Sequence, residues 1–272
     1  MLIPRHVRRV LIGVTAVVLL FIHIPLLVVL VNSFNTSRVF GWPPRGFSTQ
    51  WWSRAVENEG VRSALLTSIK AASAATVLAL VLGTMTAFAV SRYRFFGRSV
   101  ISLVVVLPIA LPGIVTGMAL NAAFTTTLKP LGIGFGLFTV ILGHTTFCVV
   151  VVFNNVVARL QRVGVSLQEA SADLGARPWT TARLVTFPLL RSALVAGGVL
   201  AFGLSFDEIV VTTFTSGPGL QTLPQWIFNN LFRPNQGPIV NAVAAGLLLL
   251  SVAPIWAATK LSADPASASG RL

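Results

Sequence analysis

The chain alternates long apolar runs with short polar connections. Six runs are near or above the roughly 20 helical residues that cross a bilayer. They cover residues 10–32, 63–90, 100–125, 137–158, 189–215 and 239–260. Because lipid offers the backbone no hydrogen-bonding partner, runs of this length predict transmembrane helices. The pattern therefore predicts an all-α membrane protein with six spans and with both termini on one side.

The runs divide the chain into three predicted regions. Residues 1–62 form the first span and an outer loop, in which Trp51 and Trp52 are typical of a short helix at the membrane surface. Residues 63–260 form a core of five spans. Residues 261–272 are small and polar, with too little apolar surface to fold, so we expect a disordered tail.

The connection between the fourth and fifth runs is polar but carries helix signals. Ser166 is positioned to cap a short helix, and Glu169 three residues later completes a capping box. Gly175 then supplies a break, and Pro188 opens the next apolar run. The sequence therefore predicts an ordered polar elbow at residues 165–187 between two spans.

This elbow resembles the cytoplasmic loop of the membrane subunits of ABC importers. In that loop Glu-Ala-Ala, a Gly four residues later and Ile-x-Leu-Pro recur at fixed spacing. Here Glu169–Ser171, Gly175 and Val185–Pro188 keep the spacing, with Ser171, Val185 and Phe187 replacing the usual residues. The resemblance implies a type I importer permease fold with a coupling helix that docks on a separate ATPase subunit. The residues implied in coupling are Glu169, Ala170, Ser171, Asp173, Gly175 and Pro188. The alternative is an amphipathic interfacial helix without a partner.

Composition agrees with a membrane protein. The chain has 272 residues, of which 54% are hydrophobic and 10% charged, and its mean hydropathy is +0.83. A net charge of +13 would favour nucleic acid in a soluble domain, but the cations cluster between apolar runs, as membrane topology requires. We therefore expect no nucleic-acid partner.

The distribution of basic residues predicts the orientation. With the N-terminus inside, the cytoplasmic segments hold most of them, namely Arg5, Arg8, Arg9, Arg92, Arg94, Arg98, Arg159, Arg162, Arg177, Arg183, Arg191, Lys260 and Arg271. The outer segments hold Arg38, Arg45, Arg54, Arg62, Lys129 and Arg233. Both termini and the elbow are thus predicted to be cytoplasmic.

Two acids fall inside the fifth predicted span, Asp207 and Glu208. A carboxylate there costs at least a few kcal/mol unless it is paired, protonated or wetted. On a continuous helix Ser205, Glu208 and Thr212 would share one face, which makes Glu208 the better pathway candidate. Asp207 could pair with Lys70 of the second span, either as charge neutralisation alone or within a substrate site.

Other polar groups in the spans are open to two interpretations. His144 in the fourth run is either an interhelical hydrogen-bonding group or a pathway contact. The prolines of Leu107–Gly113 predict a break or a bend in the third span.

The scattered histidines and the single Cys148 give no metal site, and no GxxxxGK[ST] loop is present, so ATP hydrolysis is not expected on this chain.

The segments Leu107–Ile114 and Ser205–Thr212 resemble those of spermidine/putrescine importer permeases. The resemblance implies a non-enzymatic translocation subunit in a bacterial inner membrane, carrying a small cation. It also implies a second permease, expected in a heterodimer, an ATPase homodimer that holds ATP and Mg, and an extracytoplasmic binding protein. The predicted pathway residues are Glu208, Asp207, Thr212, Ser205, Lys70 and His144.

Several alternatives remain open. The same importer type could carry an amino-acid derivative, an aminophosphonate or an iron complex. An ion-coupled secondary transporter would use the intramembrane charges as a relay, but it would not need the elbow. A purely structural membrane subunit would gain nothing from the buried acids.

Overall fold

The computed structural model describes residues 4–38, 43–233 and 235–262, with side chains described through Ser251. The predicted tail lies outside these residues from position 263 onward. Within the described ranges the chain is helical, apart from turns and one isolated bridge between Asn35 and Phe47. The helices are α1 Arg5–Asn32, α2 Gln50–Glu57, α3 Glu59–Arg92, α4 Arg98–Ala110, α5 Gly113–Thr127, α6 Leu137–Arg162, α7 Ser166–Asp173, α8 Pro178–Thr181, α9 Phe187–Phe206, α10 Val210–Thr215, α11 Leu223–Leu231 and α12 Gly237–Ser262.

Among the described residues, four helices are long and apolar enough to cross a membrane: α1, α3, α6 and the continuous helix Pro178–Phe206. A fifth span results if α4 and α5 are taken as one span that is bent by 110° at the break between them. The sixth predicted span falls on α12, which has 26 residues, but its side chains are described only through Ser251, so its apolar character is not tested over a full span. The predicted number of six spans is therefore not confirmed, although their predicted positions all fall on helices.

The chain forms two compact units, Met1–Arg62 with Trp226–Val252, and Ser63–Gln225 with Ala253–Leu272. In the first unit the predicted surface helix exists as α2, but its rings also pack internally. Trp51 is buried and its indole N–H donates to the carbonyl of Asn35 at 2.8 Å. Trp52 stacks on Phe34 with ring centroids 5.4 Å apart. These contacts fix α2 against the end of α1.

The second unit is built around α6. Its side chains pack with α3, α9 and α10 in one apolar cluster that includes Ala79, Phe147, Val156, Leu190 and Val211. Small residues such as Ala79 let the helices approach closely, which is the usual basis of packing between apolar helices in lipid. In contrast, the apolar side chains of α1 are exposed along most of the helix, as contact with lipid would allow.

Two predicted spans are broken. The third is interrupted at Leu111–Pro112, because Pro112 cannot donate a backbone hydrogen bond, and α4 and α5 diverge there. The fifth was expected as one helix over 189–215. Instead α9 ends at Phe206 and α10 begins at Val210. The prediction of a single helical stripe through Ser205, Glu208 and Thr212 was therefore wrong.

Candidate functional site

The break in the fifth span places Asp207 and Glu208 between two helix ends. The Asp207 N–H still donates to the carbonyl of Gly203 at 3.1 Å, and the helix then stops. The Glu208 carboxylate accepts the N–H of Val211 at 2.8 Å, which satisfies a donor in the first turn of α10. The acid therefore helps to end one helix and to begin the next.

His144 of α6 bridges the two sides of this break. Its Nδ1 lies 2.8 Å from Ser205 Oγ at the end of α9, and its Nε2 lies 2.9 Å from Thr212 Oγ1 in α10. His144 is fully buried. His144 lies more than 60 positions before Ser205 and Thr212 in the sequence. The predicted helix face related Ser205 to Thr212 but did not include the imidazole that joins them.

The hydrogen-bond directions at His144 follow from its neighbours. The Thr212 hydroxyl donates its proton to the carbonyl of Glu208 at 2.7 Å. Thr212 must then accept from His144, so Nε2 carries the imidazole proton and Nδ1 accepts from the Ser205 hydroxyl. For a neutral imidazole this is the Nε2–H tautomer. The chain of bonds ends at the backbone of Glu208 and holds that residue in place.

Two further polar side chains anchor α10. Asn121 of α5 donates to the carbonyl of Phe214 at 2.6 Å, and Thr139 of α6 donates to the carbonyl of Thr215 at 2.7 Å. Both bonds satisfy carbonyls at the C-terminal end of a short helix, where no intrahelical donor is available. Neither residue is among the predicted site residues. Their polar side chains within apolar runs were the only sequence signal.

Glycines allow α10 to lie close to its neighbours. A Cβ at Gly117 of α5 would lie 2.5 Å from the Phe214 ring, and one at Gly143 of α6 would lie 3.2 Å from Val211. Side chains at these positions would force the helices apart. The broken span is therefore held by close packing as well as by hydrogen bonds.

The predicted ion pair between Lys70 and Asp207 is not present in the described part of the chain. Both side chains are exposed there, and no salt bridge joins them. Glu208 is half-buried. The structure thus brings Ser205, Thr212 and Glu208 together around His144 and leaves Lys70 and Asp207 outside that hydrogen-bonded group.

The elbow has the predicted helix, break and second helix, but one detail differs. Ser166 is the first residue of α7 and makes no side-chain cap, so the predicted capping box was wrong. The N–H of Glu169 donates instead to the carbonyl of Val165 at 3.0 Å. Pro188, which opens the apolar run as predicted, lies inside a continuous helix. The helix from Pro178 continues into α9 through a π-helical turn at Ala182–Thr186.

Gly175 ends α7 as predicted. Its φ is +77°, a left-handed value that glycine adopts without steric cost. The N–H of Gly175 donates to the carbonyl of Ala172 at 2.8 Å, and the N–H of Ala176 donates to that of Ser171 at 3.1 Å. This pair of bonds is a Schellman motif, which satisfies the last carbonyls of the helix.

Side chains then tie α7 to the second half of the elbow. Ser171 Oγ lies 2.9 Å from Thr181 Oγ1, and Gln168 donates to Thr186 Oγ1 at 3.0 Å. Ser171 is a departure from the usual Ala of the resembling loop, and here its hydroxyl makes a contact that alanine could not. Leu174 and Trp179 are 89% and 75% exposed. The elbow is therefore internally ordered and presents apolar side chains outward.

This chain is similar to known proteins both in sequence and in fold. The family described as the binding-protein-dependent transport system inner membrane component matches residues 79–263. The spermidine/putrescine transport system permease protein PotC of Escherichia coli (strain K12) is 35% identical over 252 residues, 93% of each protein. The putrescine transport system permease protein PotI of the same organism is 34% identical over 84% of this chain and 82% of its own length.

A more distant relative has a different named solute. The putative 2-aminoethylphosphonate transport system permease protein PhnV of Salmonella typhi is 31% identical over 88% of this chain and 89% of its own length. Among solved structures, a chain of a bacterial ABC transporter that imports the acidic polysaccharide alginate aligns with a TM-score of 0.69 at 17% identity. That alignment covers 96% of this chain and 98% of the other.

A chain from the inward-facing MetNI methionine ABC transporter aligns with a TM-score of 0.59 at 18% identity, covering 79% of this chain and 98% of that chain. At 17% and 18% identity, these two alignments are evidence of a shared fold only. The predicted type I importer permease fold is confirmed.

Proposed function

This chain belongs to the family of binding-protein-dependent transport system inner membrane components, and on that premise we propose that it forms half of an importer's translocation pathway for a small organic cation. As a family member it is a multi-pass inner-membrane translocation subunit and not an enzyme. Membership implies a second permease, an ATPase and a substrate-binding protein. We propose the finer assembly as a heterodimer of permeases with an ATPase homodimer that binds ATP and Mg.

The position of Glu208 carries the proposal of a cationic solute. The side chain is half-buried at a helix break, and in the described residues no cation neutralises it. Among the described residues, only one of its oxygens has a hydrogen-bond donor, the N–H of Val211. An acid in a low-dielectric passage attracts an ammonium group far more strongly than the same acid in water. Glu208 is thus the proposed solute contact, with Asp207 exposed beside it.

The other predicted pathway residues take different proposed roles. Ser205, Thr212 and His144 position Glu208 through the hydrogen bonds described above, because each contacts another member of that group. Lys70 is exposed on α3 and remains a proposed contact at the outer end of the pathway. No metal is invoked for any of these residues.

The names of the relatives support a polyamine. Permeases named for spermidine and putrescine are 34–35% identical to this chain over most of its length. The relative named for 2-aminoethylphosphonate offers a second candidate. That solute has an ammonium group, but its phosphonate would be repelled by Asp207 and Glu208. Spermidine and putrescine carry only positive charge, so the acids favour them.

The elbow is the proposed docking site for the ATPase. Exposed Leu174 and Trp179 supply an apolar surface, and Glu169 and Asp173 lie on the same short helix α7. Large apolar side chains that protrude into water are typical of protein contact sites.

The basic residues at the ends of α3 and α6 and in the elbow support placing these helix ends, the elbow and both termini in the cytoplasm.

The proposal is tested with the complete importer and its binding protein in proteoliposomes. ATP hydrolysis and uptake are measured with spermidine, putrescine, 2-aminoethylphosphonate and a neutral sugar. We expect stimulation by one or both polyamines only. Stimulation by the phosphonate or the sugar, without a response to polyamines, would contradict the cationic solute while leaving the importer assignment intact.

A further inference from the structure

A cavity of about 660 Å³ lies where the end of α3, the start of α4 and the end of α6 meet. It is distant in sequence from the Glu208 site and is formed within the second unit alone. Six polar side chains line it: Ser91, Arg92, Arg98, Ser99, Ser102 and Gln161. Its lining therefore contains two cations and no acid, which favours an anionic ligand.

Arg92 is held in the cavity wall by one contact. Its Nη2 donates to the carbonyl of Val163 at 3.1 Å. Its Nε is buried and has no hydrogen-bond partner. A buried guanidinium N–H without an acceptor is costly. A phosphate oxygen would satisfy it with a charge-assisted bond once the Arg92 side chain turns this N–H toward the cavity. Arg98 adds a second guanidinium, and Ser91 and Ser99 add hydroxyl donors, whereas the Ser102 hydroxyl donates to the carbonyl of Arg98 at 3.2 Å.

The rest of the lining is apolar. Val90, Phe153 and Leu160 are buried core residues that face the cavity, together with Val157. A free phosphate ion would gain nothing from such a wall. A phospholipid would, because its glycerol and first methylenes can lie against apolar side chains while the headgroup meets the arginines.

We infer that this cavity binds the phosphate headgroup of an anionic phospholipid. The inference relies on the proposed function only in that lipid surrounds these helix ends. Basic pockets between transmembrane helices are physically suited to such headgroups. Because the cavity is also lined by Val163, Gly164 and Val165, directly before α7, a bound headgroup would brace the start of the elbow.

The test uses the complete importer purified in detergent and reconstituted in phosphatidylcholine nanodiscs with or without phosphatidylglycerol. Native mass spectrometry measures the phosphatidylglycerol retained by the permease. We expect Arg98→Gln to lower retention by about tenfold, the loss expected for one charge-assisted contact. Arg98 is exposed and its side chain makes no hydrogen bond in the described structure, so this variant should fold normally.

Arg94→Gln is the matched control, since Arg94 is exposed in the connection just before α4 but does not line the cavity. Its retention should equal that of the wild type. Equal retention in Arg98→Gln, or equal retention of phosphatidylcholine and phosphatidylglycerol, would overturn the inference. So would displacement of the lipid by inorganic phosphate at equal concentration, which would identify a free-anion site. Polyamine-stimulated hydrolysis in the same samples reports separately on the proposed transport function.

Discussion

Nε2 of His144 lies 2.9 Å from Oγ1 of Thr212, and this bond joins α6 to the helix that begins just beyond the intramembrane acids. On the other side of the ring, Nδ1 contacts Ser205, the penultimate residue of α9. One side chain thus links both halves of a broken span. This link adds to the bonds from Asn121 and Thr139 that hold the short α10.

His144→Leu should destabilise the protein by about 1–2 kcal/mol, because the Ser205 hydroxyl loses its acceptor in a buried site. Thermal unfolding of the purified importer measures the effect. His23→Leu is the control, since His23 is exposed and bonds only to the carbonyl of Leu19. Adding Ser205→Ala and Thr212→Val should recover part of the loss, and an unchanged midpoint in His144→Leu would contradict the bridge.

Glu208→Gln should lower polyamine transport by about tenfold to a hundredfold, the range for one charge-assisted contact. The glutamine amide oxygen can still accept the Val211 N–H, so the start of α10 should survive. Uptake in proteoliposomes and basal ATP hydrolysis are measured together. Glu208→Ala removes both the charge and the acceptor and should also reduce stability. Normal uptake by Glu208→Gln would refute its role as a solute contact.

Gly117→Ala should cost about 1–3 kcal/mol, because the new Cβ would meet the Phe214 ring at 2.5 Å. Gly203→Ala provides the comparison, since nothing lies within 4 Å of a Cβ there. Alanine at position 203 should stabilise its helix by about 0.5–1 kcal/mol. Phe214→Leu introduced with Gly117→Ala should restore part of the stability. Equal unfolding midpoints for the two alanine variants would disprove close packing of α5 on α10.

Gly175→Val should strain the end of α7 by about 1–2 kcal/mol, because valine disfavours a positive φ. No atom lies within 4 Å of a Cβ at this position, so backbone strain is the only expected cause. We expect a folded permease that binds its ATPase weakly, seen by co-purification and by substrate-stimulated hydrolysis. Gly175→Asn tolerates this φ and should behave nearly as wild type. Normal ATPase co-purification and normal substrate-stimulated hydrolysis in Gly175→Val would contradict the proposed role of the elbow in ATPase coupling.

The orientation is tested with a reporter enzyme that is active only outside the cytoplasm. Fusions after Pro130 and Gly219 should be active, and those after Gly97 and at the C-terminus inactive. The first two positions lie in connections with few cations, and Gly97 lies beside Arg92, Arg94 and Arg98. The reverse pattern would invert the proposed topology and would place the elbow on the wrong side for an ATPase.

The sequence determined the features that depend on local chemistry. The positions of the apolar helices follow from the exclusion of polar backbone from lipid. Gly175 ended α7 where predicted because a left-handed residue is needed there, and Pro112 interrupted the third span because it lacks an N–H. The elbow spacing was enough to indicate the family.

Only the tertiary structure decided the break in the fifth span. Neither Gly nor Pro occurs in Asp207–Ile209, so a continuous helix was the natural expectation. Glu208 instead accepts a backbone N–H of α10, and His144, Asn121 and Thr139 satisfy groups on both sides. Those partners come from other helices, and packing alone brings them into reach. For the same reason the predicted ion pair between Lys70 and Asp207 does not form. The two residues were expected at a similar depth in the membrane, but depth does not determine which helix faces contact each other.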